Sequence, residues 1–537
     1  MTPAAPLRHD STADHPLPLR KRMSLREKIS DWSDWLNPIL IKETRQVATS
    51  RAFVWTFFVL VLLCWISAVT TVLLNDPAIR YQAYGPSVMT WYGWLMTIPF
   101  VVVVPFATYR SMEIERHNAT FDLLSITTIE ATQIVRGKLV AMLVMALVLL
   151  SVFTPCLAFG YMLGGVDLAQ TLSVPAFLMA VCLTASSVAV LLGSLPRSAT
   201  ASTLHSMLLL TGLLALAIVS LAIVSQLLGG SSAWYLRMLP SRPSIAVAAF
   251  LLGVTLCELA IAAAAANLTP PEVNRSSLVR KRLLLVHGTV TLAMGMTVYE
   301  FPHDRIYLLP PLWMATAFWF MMGTLLVAER PDLTARVRRE LAPKAYPRVL
   351  QSWRVPGSAG GFLFAVAGMG SLTIVLMLVR WHVHTIGPIR RFPPEEFAAV
   401  AATNWLLFVG YLGTVRLSWL RIRRRFPHAG FFPALAVAAG VLILGNLVPA
   451  LLAEILWPGL LESYSPLLVT IWPVTLRAAH LTVLNYRPAL GTTAGDIARL
   501  YGVIGALVAL VLFLNLRSLV TGLFAGAAPV APVRQRD

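Results

Sequence analysis

The chain has 537 residues, of which 57% are hydrophobic and 13% are charged. Soluble domains average about 45–50% apolar and about 25% charged residues. A water-exposed fold could not bury so much apolar surface, so the composition excludes an ordinary soluble protein and predicts an all-α, polytopic membrane protein. The net charge of +18 lies in short clusters between apolar segments, which is typical of cytoplasmic loops facing anionic lipid. Because no nucleic-acid-binding motif accompanies these clusters, we expect no nucleic-acid partner.

The chain begins with a polar and basic segment. Residues 1–36 contain no seven-residue apolar core, so they are predicted to be a disordered cytoplasmic tail and not a cleaved signal peptide. In the segment 37–46, Asn37 can cap a helix whose first residue is Pro38. Apolar and basic side chains alternate there at roughly helical spacing, which predicts a helix in the lipid headgroup layer. The alternative is a basic segment that merely stops the first span.

About twelve segments are apolar over the roughly 20 residues that a helix needs to cross a bilayer. They lie near residues 53–74, 88–108, 139–163, 172–195, 201–228, 245–268, 283–300, 306–328, 361–380, 397–420, 430–453 and 498–520. The stretch 455–486 is apolar but interrupted by Pro458, Pro466 and Pro473. It is expected to be interfacial or re-entrant, where protein or water can satisfy its backbone groups.

The positions of Lys and Arg indicate the orientation. With twelve spans and both termini in the cytoplasm, the dense basic clusters at 280–282, 336–339 and 421–425 lie inside, as the positive-inside rule requires. Arg380 and its neighbours at 390 and 391 then lie outside. The protein is therefore expected in the inner (cytoplasmic) membrane, as a multi-pass protein.

A proline-rich turn after Thr269 divides the chain. It separates a six-span region, residues 37–270, from a second membrane region of about six spans, residues 271–537. The two halves show no convincing sequence repeat, so an internal duplication is not supported.

The segment between the second and third predicted spans carries the most information about function. Thr120 can cap a helix, and Asp122 lies near the positive end of that helix dipole. Leu123, Leu124 and Ile126 follow, in a loop that should be surrounded by water. An apolar helix face exposed in the cytosol usually binds a groove on a partner protein. The alternative is an amphipathic loop that arises by chance.

This segment resembles the cytoplasmic loop in the membrane subunits of type-2 ABC exporters. The residues that match, at matching spacing, are Glu115-Arg116, Thr120-Phe121-Asp122-Leu123-Leu124 and Ile134-Val135-Arg136-Gly137-Lys138. The chain departs from the family pattern at Ala119, where Gly is usual, and at Thr128, where Pro is usual. The segment 37–46 is similar to the family's N-terminal elbow helix. The resemblance is strong over about residues 37–270 and weaker beyond them.

The resemblance implies a permease that works with a separate ABC ATPase subunit. It implies a coupling helix that docks on that subunit, formed by Thr120, Phe121, Asp122, Leu123, Leu124, Ile126, Thr127 and Ile129. It also places Glu113, Glu115 and Arg116 beside a cytoplasmic gate. Either one chain supplies both halves of the pore, or the second half is accessory. Because the second half lacks this loop pattern, the accessory role is favoured, and with it a homodimer of the chain.

The chain lacks the motifs of an ATPase or of another enzyme. No GxxxxGK[ST] phosphate loop and no hydrolase, metalloprotease or kinase signature occurs. We therefore expect no catalytic residue, no metal site and no cofactor on this chain, with Mg·ATP bound by the partner subunit.

Glu258 lies near the centre of the predicted span 245–268, where an unpaired charge costs at least about 2.5–3.5 kcal/mol. It is either a pathway or coupling residue, or a neutral carboxyl bonded to a neighbouring helix.

The alternative function is a transporter driven by an ion gradient, which predicts paired intramembrane acids or broken helices in both halves. A membrane-embedded enzyme would need an acidic site in an outer loop. The substrate is not indicated.

Overall fold

The structure is a computed structural model, and it describes residues 38–75, 81–117, 130–195, 199–229, 243–269, 274–301, 305–329, 356–387, 394–426, 431–447 and 494–524. Within these ranges the regular structure is helical. The helices of the first half are α1 (Pro38–Ala48), α2 (Arg51–Asn75), α3 (Gly85–Thr97), α4 (Val104–His117), α5 (Ala131–Met162), α6 (Leu168–Gly193), α7 (Ala199–Gly229) and α8 (Pro243–Leu268). Those of the second half are α9 (Arg275–Glu300), α10 (Arg305–Ala328), α11 (Ser358–Ile386), α12 (Pro394–Arg425), α13 (Phe431–Leu442) and α14 (Ala494–Phe524).

Ten segments among the described residues are long and apolar enough to cross a membrane. The prediction of an all-α, polytopic membrane protein is therefore confirmed. These segments overlap the first ten predicted spans, and two shorter apolar helices, Phe432–Asn446 and Ile504–Val520, overlap the last two. The predicted tail 1–36 and the interrupted stretch 455–486 lie outside the described residues.

The seventh predicted span, 283–300, is shorter than the helix that contains it. α9 begins at Arg275, because the side chain of Asn274 caps it by accepting a hydrogen bond from the backbone N–H of Ser277 at 3.2 Å. The first two turns of α9 carry several basic residues. These residues lower the hydropathy that marks a span while leaving the helix intact.

A widened turn joins α3 to α4 within one continuous helix, Gly85–Glu115. Residues Ile98–Val103 form a π-helical turn in which the backbone N–H of Val104 donates to the carbonyl oxygen of Pro99. Proline lacks a backbone N–H, and both Pro99 and Pro105 fall in this region, so the regular α-helical pattern cannot be completed here. The turn sets the direction from which α4 presents its polar residues.

Helix α8 lies between two groups of helices. On one side it contributes Ile261, Ala264 and Ala265 to a core with α4, α5 and α6. On another face it contributes Leu259 to the large core built from α9–α14. α8 also packs along α9, so the two halves of the chain meet at this helix pair.

At two places a helix approaches a neighbouring segment so closely that only glycine fits. A Cβ atom added at Gly361 of α11 would lie 2.4 Å from the backbone carbonyl oxygen of Leu326 in α10. A Cβ atom at Gly85 would lie 2.2 Å from the carbonyl oxygen of Gly164, to which the N–H of Gly85 donates at 3.1 Å. Backbone atoms cannot rotate away as a side chain can, so these contacts fix how closely the segments approach each other.

Substitution of Gly361 by alanine should destabilise the second half. The added methyl group overlaps a backbone carbonyl, and overpacking of this kind costs about 1–3 kcal/mol. We expect a lower apparent melting temperature of the purified protein in detergent. Gly212→Ala in α7 is the control, because nothing lies within 4 Å of its added methyl group. Equal melting temperatures for the two variants would contradict the close approach.

Candidate functional site

Helices α4 and α5 border the segment that resembles a coupling helix. The predicted docking residues Thr120, Phe121, Asp122, Leu123, Leu124, Ile126, Thr127 and Ile129 lie outside the described residues. The structure resumes at Glu130, whose backbone N–H donates to the side-chain oxygen of Gln133 at 3.3 Å and so fixes the first turn of α5. The structure shows how α4 and α5, which border this segment, are joined to each other and to α1.

Lys138 of α5 binds acidic groups from two other helices. Its ammonium nitrogen lies 2.8 Å from a carboxylate oxygen of Glu43 in α1 and 3.0 Å from one of Glu115 in α4. It also lies 2.9 Å from the hydroxyl of Ser111, which donates to Glu43 at 3.1 Å. These four residues are called the Lys138 cluster. Lys42, at 3.5 Å from Glu115, adds a second positive charge, so the group is electrically balanced.

The Lys138 cluster is nearly dry. The side chain of Lys138 is 1% exposed and that of Glu43 is 4% exposed. Burial raises the pKa of Glu43, but the charge of Lys138 and hydrogen bonds with Lys138, Glu115 and Ser111 outweigh burial, so the pKa lies below its ordinary value. In such surroundings a charge is tolerated only when it is paired and hydrogen-bonded. The cluster therefore holds α1, α4 and α5 together as one unit.

Two of the three residues expected beside a gate have described side chains, and their contacts differ from each other. Glu113 is buried on α4, where it binds Arg110 at 3.1 Å and accepts a hydrogen bond from Ser202 of α7. Tyr109 donates to the backbone oxygen of Ser202 at 3.0 Å, so this pair of contacts joins α4 to α7. Glu115 belongs to the Lys138 cluster. Arg116 lies in α4, and its side chain is outside the described part of the chain.

Glu258 faces two arginines. Arg136 of α5 lies 2.8 Å from its carboxylate, and Arg282 of α9 lies 3.5 Å from it. The carboxylate thus links the first half of the chain, through α5, to the second half, through α9. Both cations stand within two turns of the start of their helices, which brings the three groups to the same end of the bundle as the Lys138 cluster.

The same end of the bundle is tied in the second half by Glu329, which directly follows α10. Its carboxylate accepts hydrogen bonds from Ser276 at 2.7 Å, from Arg280 and from the backbone N–H of Gly357 at 3.3 Å. Its backbone oxygen accepts one from Arg423 at 2.9 Å. One residue therefore joins the ends of α9, α10, α11 and α12.

Arg416 is a further buried cation near that end. Its guanidinium donates to Asn515 at 2.6 Å and to Ser518 at 2.9 Å, and it also reaches the backbone oxygen of Ser358 at 3.4 Å. The guanidinium stands over the ring of Phe362, 6.0 Å from its centre. These contacts connect α12 to α11 and α14.

The pairing of Lys138 with Glu43 is not visible in the sequence. Lys138 is one residue of a matching motif, and Glu43 is one acid in a basic helix. One signal was available, because Lys138 shares a helical stripe with the buried Val135, Leu139 and Met142. A cation in an apolar stripe requires a buried acid, but 95 residues separate the two partners.

Comparison of the chain with known protein families, curated proteins and solved structures finds no match.

Replacement of Lys138 by methionine should be strongly destabilising. It would leave the carboxylates of Glu43 and Glu115 buried side by side without their shared cation, and loss of one partner of a buried ion pair costs about 3–5 kcal/mol. Lys42→Met is the matched control, because Lys42 contacts the same Glu115 but is 66% exposed, and exposed pairs contribute about 0–1 kcal/mol. The measurement is the free energy of unfolding by denaturant titration in detergent. Similar losses in both variants would refute a special role for the buried cation.

The stability contributed by Glu43 should depend on pH. Its pKa is lower in the folded state, so the contribution is complete above the unfolded pKa of about 4.3 and is lost as the pH falls through the folded pKa. We expect Glu43→Gln to lower the melting temperature at neutral pH, and the difference from wild type to shrink on acidification. The exposed Glu395→Gln serves as the control. A difference for Glu43→Gln that stays constant down to the lowest pH reached would rule out this ionic contribution.

Proposed function

We propose that this chain is the permease subunit of an ATP-driven exporter of type-2 ABC architecture. The observation that supports this most is the Lys138 cluster, which binds together the elbow-like helix α1 and both helices that border the predicted coupling helix. A displacement of residues 118–129 would be passed to α4 and α5, which are joined to each other and to α1. A loop that only connects two spans would not need its bordering helices to be tied by a buried lysine.

In the proposed mechanism a separate ATPase subunit supplies the energy. Closure of the partner on ATP would move the coupling helix, and the differential affinity of the partner for two packed states would shift the permease between them. Glu113, through Ser202, would transmit the movement from α4 to α7. Catalysis and Mg·ATP binding belong to the partner, and no cofactor is assigned to this chain.

The finer architecture follows from the same proposal. The chain would have twelve spans, with α1 as an interfacial elbow, both termini in the cytoplasm and a location in the inner membrane. The end that carries the Lys138 cluster would face the cytoplasm, in line with the distribution of basic residues. Residues 37–270 would form the permease domain and residues 271–537 an accessory region, so two copies of the chain would complete the transporter.

A transporter driven by an ion gradient is the competing function, with Glu258 as its candidate proton carrier. The contacts of Glu258 favour an anchoring role instead. Its carboxylate lies between Arg136 of α5 and Arg282 of α9, so its contacts join helices from the two halves of the chain. Glu258 is therefore assigned here to the junction of the two halves.

The decisive experiment is affinity purification of the tagged full-length protein from its native cells in mild detergent, followed by mass spectrometry. We expect an ABC ATPase subunit to copurify with the wild type and to be lost with Leu124→Glu, because a charge in the docking face cannot enter an apolar groove. Leu341→Glu is the matched control. It makes the same change in the basic segment that precedes α11, which lacks the coupling-helix pattern.

The outcomes separate the proposals. An ATPase that binds the wild type and the Leu341 variant, but not the Leu124 variant, would support the permease and locate its docking helix. Recovery of folded wild-type protein without any ATPase would refute the proposal and favour the ion-coupled transporter. Loss of the ATPase in the Leu341 variant alone would assign docking to the second half.

A further inference from the structure

A groove opens along the exposed apolar side of α9 and α11, toward the end of the bundle opposite the Lys138 cluster. Its volume is about 840 Å³, within the range of pockets that hold small molecules, about 300–1,000 Å³. It is lined by apolar residues of both helices, and most of its polar groups are gathered at one end. The polar groups at that end are Ser244, Tyr299, Glu300 and His382. Thr291 also lines the groove, farther from that end, and its hydroxyl donates to the backbone oxygen of His287 at 2.8 Å.

The groove exists because α9 presents glycine where a larger side chain would fill the space. Nothing lies within 4 Å of a Cβ atom added at Gly288, and at Gly295 the nearest atom is a methyl of Val379 at 4.0 Å. From Gly288 to Tyr299 the helix rises about 17 Å, at about 1.5 Å per residue. Half of a hydrocarbon core of about 30 Å is about 15 Å, so the groove has the length of one lipid leaflet.

The polar end of the groove combines an acid with hydrogen-bond donors. Glu300 is the last residue of α9, where the helix dipole is negative and favours a cation. Ser244 of α8 donates to its carboxylate at 3.1 Å and orients it. The imidazole of His382 and the hydroxyl of Tyr299 line the same end, and both can donate to an anionic oxygen. An ammonium group and a phosphate, side by side, satisfy this set of groups.

We propose that this groove is a binding site for an amine-headed phospholipid of the adjoining leaflet, such as phosphatidylethanolamine. One acyl chain would lie over Gly288 and Gly295, with the ammonium on Glu300 and the phosphate near His382 and Tyr299. A choline head group has no N–H to donate to Glu300, and a glycerol head group has no cation. The site therefore distinguishes phosphatidylethanolamine from both. This inference stands independently of the transport function.

The test is native mass spectrometry of the detergent-purified protein titrated with palmitoyl-oleoyl lipids that carry ethanolamine, choline or glycerol head groups. We expect wild type to retain the ethanolamine lipid preferentially. Glu300→Gln should weaken ethanolamine binding by about tenfold, the effect of losing one charge-assisted hydrogen bond, and should weaken choline binding less, because choline has a charge but no N–H to donate. Gly295→Leu should weaken both lipids, because its side chain would occupy the place of the acyl chain.

Two controls keep the result specific. Glu395→Gln removes an exposed carboxylate at the start of α12, and Gly212→Leu adds the same side chain where α7 offers open space; both should bind like the wild type. Equal retention of all three lipids by the wild type would overturn the proposal, as would equal losses in the Glu300 and Glu395 variants. If Gly295→Leu fails to fold, the ethanolamine-to-choline ratio of Glu300→Gln still decides.

Discussion

The ammonium group of Lys138 lies within 3.0 Å of carboxylates from two other helices, in a place that water barely reaches. In a low-dielectric interior such a charge must be matched closely or the helices separate. Glu43 supplies one partner from α1 and Glu115 the other from α4, while Ser111 fills the remaining hydrogen-bonding position. The relative placement of three helices therefore depends on a single cation, and the borders of the segment that resembles a coupling helix depend on it too.

In the second half, too, buried charged groups are matched by partners on other helices. Glu329 gathers the ends of four helices, and the buried Arg416 ties α12 to α11 and α14. Glu258 completes the pattern by linking Arg136 of the first half to Arg282 of the second. These ion pairs and hydrogen bonds lie at one end of the bundle. Close backbone contacts at glycine, such as that of Gly85 in α3 with Gly164 just after α5, hold the first half at the other end, where polar links are fewer among the residues described.

Packing within the chain is uneven, and this bears on which helices can move. In the most apolar window of each span, 61% of the residues of α12 are buried but only 11% of those of α2 and 28% of those of α7. α2 and α7 thus leave most of their apolar surface for lipid or another chain, while α1, α4 and α5 are joined through charge. In the proposed exporter, the tied helices would carry displacement from the partner, and α7 would follow through the contact of Ser202 with Glu113.

The sequence by itself determined the class of fold and the positions of the ten span-length helices among the described residues, because about 20 consecutive apolar residues have few stable arrangements other than a membrane helix. It also indicated the orientation and, through the residues from Glu115 to Lys138, a resemblance to a family. The sequence could not predict that Lys138 binds Glu43 or that Glu258 binds two arginines. It also could not predict the groove beside Gly288 and Gly295. Those features join residues from different helices, and they arise only when helix packing brings distant parts of the chain within hydrogen-bond or van der Waals contact.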